Sequence, residues 1–173
     1  CCDVDKKSLD AISRRFGFRT ICGSIEDADL DDVRCDGIVM RHVFEHLHDP
    51  DGVVKKLRAH LKPHGRSFLS QPNFDSWCRH ITGAAWSWSV PEHRFFWTEE
   101  TLGSFFNTRG FRKVQSRSTF ACAGLIHLAE LVPPGPVRWM LAPFLYLVGA
   151  ALEVVSLPLH RGQNCIVEAE LSD

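Results

Sequence analysis

The stretch CDGIVMRHVFEHLHDPDGVVKKL, residues 35–57, changes its periodicity twice, and those changes decide the fold. CDGIVM is a short apolar run and reads as a buried strand. Asp49 then supplies a helix N-cap, and Pro50 fits the first helical position. Val53, Val54, Leu57 and Leu61 follow at helical spacing on one face. The joint between strand and helix holds His42, Glu45 and His46 at i, i+3 and i+4, so their side chains share one side of a helical turn.

Reading outward, the same rhythm repeats. CCDV is β-like, and KKSLDAISRRFG carries Leu9, Ile12 and Phe16 at helical spacing before Gly17 stops it. FRTICGS is a short strand and IEDADLDD an acidic loop. On the other side, KPHG reads as a turn and RSFLSQPN as a strand ended at Pro72. An aromatic, irregular stretch follows. TEETLGSFFNTRG is a helix capped by Thr98 and closed at Gly110, and FRKVQSRST and NCIVEAEL are the last strands. Alternating strands and helices predict an α/β fold with a mostly parallel sheet. In such sheets ligands sit beyond the carboxyl ends of the strands. Asp5, Ser24, Arg41, His42 and Gln71 all fall at or just after predicted strand ends, so they should converge on one edge.

Composition narrows the function. The chain has 173 residues, enough for one domain with a sizeable core, and a net charge of −1. The basic residues are scattered, without the stripe a nucleic-acid surface requires, so no nucleic-acid partner is expected. Seven cysteines at irregular spacing, with no CxxC, read as reduced thiols in a reducing, cytoplasmic compartment. No signal peptide is visible, and the opening CCDVD, without an initiator Met, reads as part of a longer chain.

Several motifs, taken in order, resemble class I S-adenosylmethionine-dependent methyltransferases, in particular the ubiquinone-pathway O-methyltransferase branch. They are Asp3-Val4-Asp5, Gly23-Ser24-Ile25-Glu26, CDGIVMRHVFEHLHDP, LKPHGRSFLSQPN, PEHRFFWTEETL and TRGF. The resemblance implies a Rossmann-like sheet, mostly parallel with an antiparallel last strand, here lacking the first strand and the glycine-rich loop. It implies a single, N-terminally truncated domain over 1–173, with a helical apolar insertion at about 120–162. It further implies S-adenosylmethionine as cofactor: Asp5 on the ribose hydroxyls, Ser24 and Ile25 on the adenine, and Arg41 along the methionine end. Relatives often carry Asp where this chain has Ser24. His42, His46 and His93 would face the methyl acceptor, a small, hydrophobic, lipid- or quinone-like molecule methylated at oxygen.

The histidine cluster has other readings. HVFEH matches the HxxEH pattern of inverted zinc proteases, but Pro50 follows four residues after His46 and leaves about one turn of helix, too little for that site. A divalent ion on His42, Glu45 and His46 is chemically allowed, since imidazole and carboxylate both ligate zinc; it is the weaker reading, and no metal ligand is assigned. Glu45 and His46 also suit a structural corner that satisfies backbone groups.

The segment PVRWMLAPFLYLVGAALEVVSLPL has an uncharged run of 14 residues, Trp139 to Leu152. That length suits a buried or interfacial helix better than a membrane span, which needs roughly 20 residues. Peripheral membrane contact through 136–159 is therefore a candidate property. A catalytically inactive methyltransferase-like domain that binds a partner or a membrane surface is the alternative function.

Overall fold

The computed structural model describes residues 1–30, 32–119 and 132–172. A short parallel pair, β1 (Cys2–Asp3) and β2 (Ile21–Cys22), is connected by helix α1 (Lys6–Phe16). The Asp5 carboxylate accepts the Lys7 N–H and caps α1, while Gly17, at φ 68°, ends it in the left-handed conformation that glycine adopts without penalty.

A four-stranded sheet follows in the order β3 (Cys35–Arg41), β4 (Leu61–Pro72), β6 (Asn164–Leu171), β5 (Phe111–Thr119). β3 and β4 are parallel, and β6 runs antiparallel to both of its neighbours, as the expected last strand should. Helix α2 (Pro50–His60) crosses from β3 to β4, its start set by Asp49 accepting the Gly52 N–H. β4 begins at Leu61 directly after α2, so KPHG lies inside the strand and not in a separate turn, with His64 at φ 62°. Helix α4 (Glu99–Asn107) carries a capping box built from Thr98 and Thr101. The aromatic stretch holds a short helix, α3 (Trp77–Thr82), that the sequence does not announce.

The main core lies between this sheet and helices α2 and α4. Phe44, Val53, Val54, Leu57, Leu69, Phe106 and Val167 are at most 2 % exposed. β3 corrects the sequence reading: it is not a buried strand, and Val39 is 77 % exposed. Among the described residues β3 pairs only with β4, and β1 only with β2. A slot of about 550 Å³ opens between the two sheets, lined by Cys2, Ile21, Leu30, Ile38, Val39 and Met40.

The apolar segment forms helix α5 (Pro136–Ser156). Leu145, Val148 and Leu152 pack on Trp77, Cys78 and Trp86. Buried Glu153 accepts from Trp77 Nε1 at 2.5 Å and from the Gln163 N–H at 3.1 Å, fastening the helix to the domain. Trp139, Met140 and Leu147 point outward, 82 %, 79 % and 71 % exposed. Residues 136–159 are long and apolar enough to cross a membrane by length and composition.

Candidate functional site

A cavity of about 520 Å³ lies beyond the carboxyl ends of β1, β2 and β3, where an α/β sheet places its ligand. It is lined by Asp3 and Val4 from the end of β1, Gly23 to Glu26 from the turn after β2, His42, Val43 and His46 to His48 from the joint after β3, and Glu92. Its volume falls within the range of roughly 300–1,000 Å³ typical of small-molecule sites.

The turn after β2 is firmly held. Lys56 Nζ, reaching across from α2, donates to the carbonyl oxygens of Ile25, Glu26 and Ala28. Glu26 accepts the backbone N–H groups of His48 at 2.9 Å and Asp49 at 2.7 Å. Burial would raise the Glu26 pKa, but these hydrogen bonds outweigh it and hold the carboxyl below its ordinary range. Ile25 forms an apolar wall. The Ser24 hydroxyl is engaged within the turn, accepting the Glu26 N–H at 3.2 Å.

Two aspartates stand at the end of β1, and the structure separates them. Asp3 lines the cavity, with Oδ1 accepting the Asp5 N–H at 2.8 Å. Asp5 is the cap of α1: its carboxylate accepts from the Ser8 hydroxyl at 2.6 Å and the Lys7 N–H at 3.0 Å. The Ser8 bond, with the Lys7 bond behind it, holds its pKa below the usual carboxylate value. Asp5 is not among the residues lining the cavity, and neither is Arg41, exposed at the end of β3.

The three expected histidines do come together. His42 leaves β3 in the left-handed region, at φ 51°, where a side chain with a Cβ is strained. Its N–H donates to Ser70 in β4 at 2.8 Å, and its Nδ1 lies 3.2 Å from Glu45 Oε1. Its ring stacks on Trp88 at 5.4 Å, and His93 stacks on Trp88 at 5.9 Å. His46 meets the His93 ring edge-on at 4.7 Å. The loop carrying His93 is pinned because the Arg94 and Phe95 N–H groups both donate to the Glu45 carbonyl oxygen. Burial is the main force pushing the His93 pKa below its ordinary value, so its neutral ring is favoured.

Two members of this constellation have only general readings from the sequence: Trp88 belongs with Trp86, Phe95, Phe96 and Trp97 to an aromatic wall or to plain packing, and Glu45 to a structural corner or to the weaker metal reading. In the structure Trp88 stacks on both His42 and His93. Glu45 is 2 % exposed, and that burial is its signal: a carboxylate this deep needs a partner or a function.

A ligand cavity at the strand ends of a mixed α/β sheet defines a domain of nucleotide- and cofactor-binding type. A methyltransferase-domain family profile matches residues 5–116, about two thirds of the chain, and the chain belongs to that family. Solved structures agree on the fold. A S-adenosylmethionine-dependent methyltransferase from Archaeoglobus fulgidus superposes with a TM-score of 0.62 at 19 % identity, over 98 % of this chain and 74 % of that one. One from Thermotoga maritima gives 0.63 at 15 % identity, over 98 % and 70 %. The plantazolicin methyltransferase BpumL, solved with S-adenosylhomocysteine, gives 0.57 at 12 % identity, over 99 % and 66 %. A search of curated protein sequences finds no match. The chain is a methyltransferase domain of the S-adenosylmethionine-dependent class, and its donor set suits that cofactor: a carboxylate for a vicinal diol, an apolar wall and a cavity of matching size.

Proposed function

We propose that this domain transfers a methyl group from S-adenosylmethionine to the hydroxyl of a small apolar acceptor, as in the ubiquinone-pathway-like branch. The observation that carries this reading is one cavity lined both by Asp3, from the end of β1, and by His42 and His46, from the joint after β3. In this reading Asp3 takes the ribose hydroxyls, the role the resemblance gives to Asp5, while Ile25 and the Ser24 turn receive the adenine and Arg41 stands at the rim.

When bound, S-adenosylmethionine supplies an electrophilic methyl group on a sulfonium sulfur. Glu45 Oε1 accepts from His42 Nδ1–H, which fixes the tautomer and leaves Nε2 as the base. His42 Nε2 would take the hydroxyl proton of the acceptor, and the cofactor would supply the methyl group, its sulfur keeping the electron pair of the former C–S bond. Trp88, His93 and Phe96 do not line the cavity; they pack on one another behind His42 and would hold its ring in place.

Two further features belong to this proposal. One more parallel strand seated in the slot between β1 and β3 would pair with both open edges, cover Val39 and close the cofactor pocket. The outward face of α5 would rest on a membrane surface, supplying a lipid-like acceptor from the bilayer. Vesicle co-sedimentation tests the second: Trp139→Glu with Leu147→Glu should abolish binding.

The test of the function is transfer of radiolabelled methyl to a simple catechol. His42→Asn should lower turnover about 100-fold or more while leaving S-adenosylhomocysteine binding intact. Turnover unchanged in that variant overturns the assignment of the base. Cofactor binding without any methyl transfer favours the alternative of an inactive, partner-binding domain.

A further inference from the structure

β2 leaves one edge of the smaller sheet open. On its inner side the Ile21 and Gly23 N–H groups donate to the Cys1 and Asp3 carbonyl oxygens at 2.8 and 2.9 Å. Backbone groups of alternate residues point to alternate sides of a strand, so the N–H and C=O groups of Thr20 and Cys22 face outward. Among the described residues none of them is hydrogen-bonded. Such an edge is a template for another strand.

Three observations say which strand fits. The outward residues are separated by one position, so the edge is complementary to itself. A two-fold axis through Ile21 sets Thr20 of one copy against Cys22 of a second, and the reverse, each pair exchanging both of its backbone hydrogen bonds. Next, the Phe16 and Phe18 rings stack at 5.5 Å just ahead of the edge, each 55 % exposed. A contiguous aromatic pair in water is contact surface without a partner. Last, exposed Arg14 and Arg15 precede β2, while exposed Asp27 follows it. Arg19 is already held by Asp32 at 2.6 Å. Antiparallel pairing brings the basic end of each copy to the acidic turn of the other, whereas a parallel copy would set like charges together.

We propose that two copies of this domain pair through their β2 edges, antiparallel about an axis at Ile21, so that the two small sheets join into one. The aromatic pairs flank the new ladder and lose water on pairing, and Arg14 and Arg15 meet Asp27 of the second copy. The contact is small, so association is weak and concentration-dependent, with a Kd on the order of micromolar to 100 micromolar. It stands apart from the methyl-transfer reading and needs neither cofactor nor acceptor. Its effect falls on the half of the domain with the fewest internal ties: the second copy holds β2 immediately before the Gly23 to Glu26 turn that lines the cavity.

Sedimentation equilibrium of the Trp139→Glu/Leu147→Glu protein tests it, because those substitutions keep the apolar face of α5 from contributing. The average mass should climb from 19.6 kDa toward twice that value as concentration rises, and Phe18→Asp should weaken association at least about tenfold. Thr20→Cys checks the register. Directly opposed residues lie about 5.5 Å apart between Cα atoms, within disulfide reach. Mild oxidation should therefore give a covalent dimer through the introduced thiol and Cys22 of the other copy, and adding Cys22→Ser should abolish it. In amide exchange, the Thr20 and Cys22 N–H groups should gain protection as concentration rises. A protein that stays monomeric up to about 500 micromolar overturns the proposal. So does a dimer that survives Phe18→Asp unchanged or forms no disulfide in Thr20→Cys.

Discussion

The two sheets of this domain are built to different standards. The four-stranded sheet is stitched by long registers, seven residue pairs between β4 and β6 alone, over a core of aromatic and branched side chains at most a few per cent exposed. The two-stranded sheet has two residue pairs, and Leu9 is the buried residue of its helix, while Phe16 and Phe18 stack in solvent at 55 % exposed each. The side of the cavity proposed for the acceptor thus stands on a self-supporting scaffold. The side proposed for the cofactor is held by a few polar ties, Lys56 and Glu26 above all. A domain divided this way loses global stability through one half and ligand affinity through the other.

The largest expected effect follows from that division. Phe44→Ala removes a ring packed against Trp97, Phe105 and Phe106 and should cost about 3–5 kcal/mol. Phe16→Ala, in the weaker half, should stay within about 0.5 kcal/mol. Urea denaturation compares them, and equal losses would erase the distinction.

A smaller effect is expected at the anchor of α5. Glu153→Ala strands the Trp77 indole N–H and the Gln163 N–H and should cost about 1–3 kcal/mol. Hydrogen exchange should then accelerate across 136–156, with β3 and β4 unchanged.

Acid should act on the cofactor side first. The Glu26 pKa is depressed in the folded state, so its contribution is fully present above the ordinary carboxylate value of about 4.3 and is lost as pH falls through the lower folded value. Exchange protection in the turn at 24–28 should fall over that window while the main core persists. Protection that survives to the acid unfolding of the core would show that Lys56 alone holds the turn.

The smallest effect is chemical. Burial pushes the Cys165 thiol up to about 12, so it should resist alkylation at neutral pH, whereas exposed Cys1 and Cys22 should react readily. Labelling of Cys165 in the folded protein would contradict the core described above.

The contrast between the halves also explains what was legible. α2 and β6 were readable because Asp49-Pro50 fixes the helix start and the apolar run Cys165-Ile166-Val167 marks the strand. α4 was readable from its cap. β3 reads as buried because its residues are apolar, but burial depends on what lies alongside, and a sequence window carries no information about an open edge. α3 is six residues long, too short for periodicity to emerge from its aromatic surroundings. At the site, strand ends and histidine spacing brought out His42 and His46, and the family resemblance added His93. Asp3 and Asp5 were not separable from a two-residue strand. The distinction lies in which carboxylate caps α1, and Asp5-Lys-Lys-Ser8 carries that signal only when the helix start is known to the residue. Gln71, also expected at the ligand edge, is instead fully buried in the core.

The central claim is that the cavity beyond the carboxyl ends of β1, β2 and β3 holds the cofactor, with Asp3 as its ribose ligand. An NMR titration with S-adenosylhomocysteine tests it directly, because it registers weak as well as tight binding. The account predicts shifts at Asp3, at Gly23 to Glu26 and at His42, with affinity reduced about tenfold or more by Asp3→Asn and little changed by Asp5→Asn. Shifts confined to other surfaces, or the opposite order of the two variants, would contradict it.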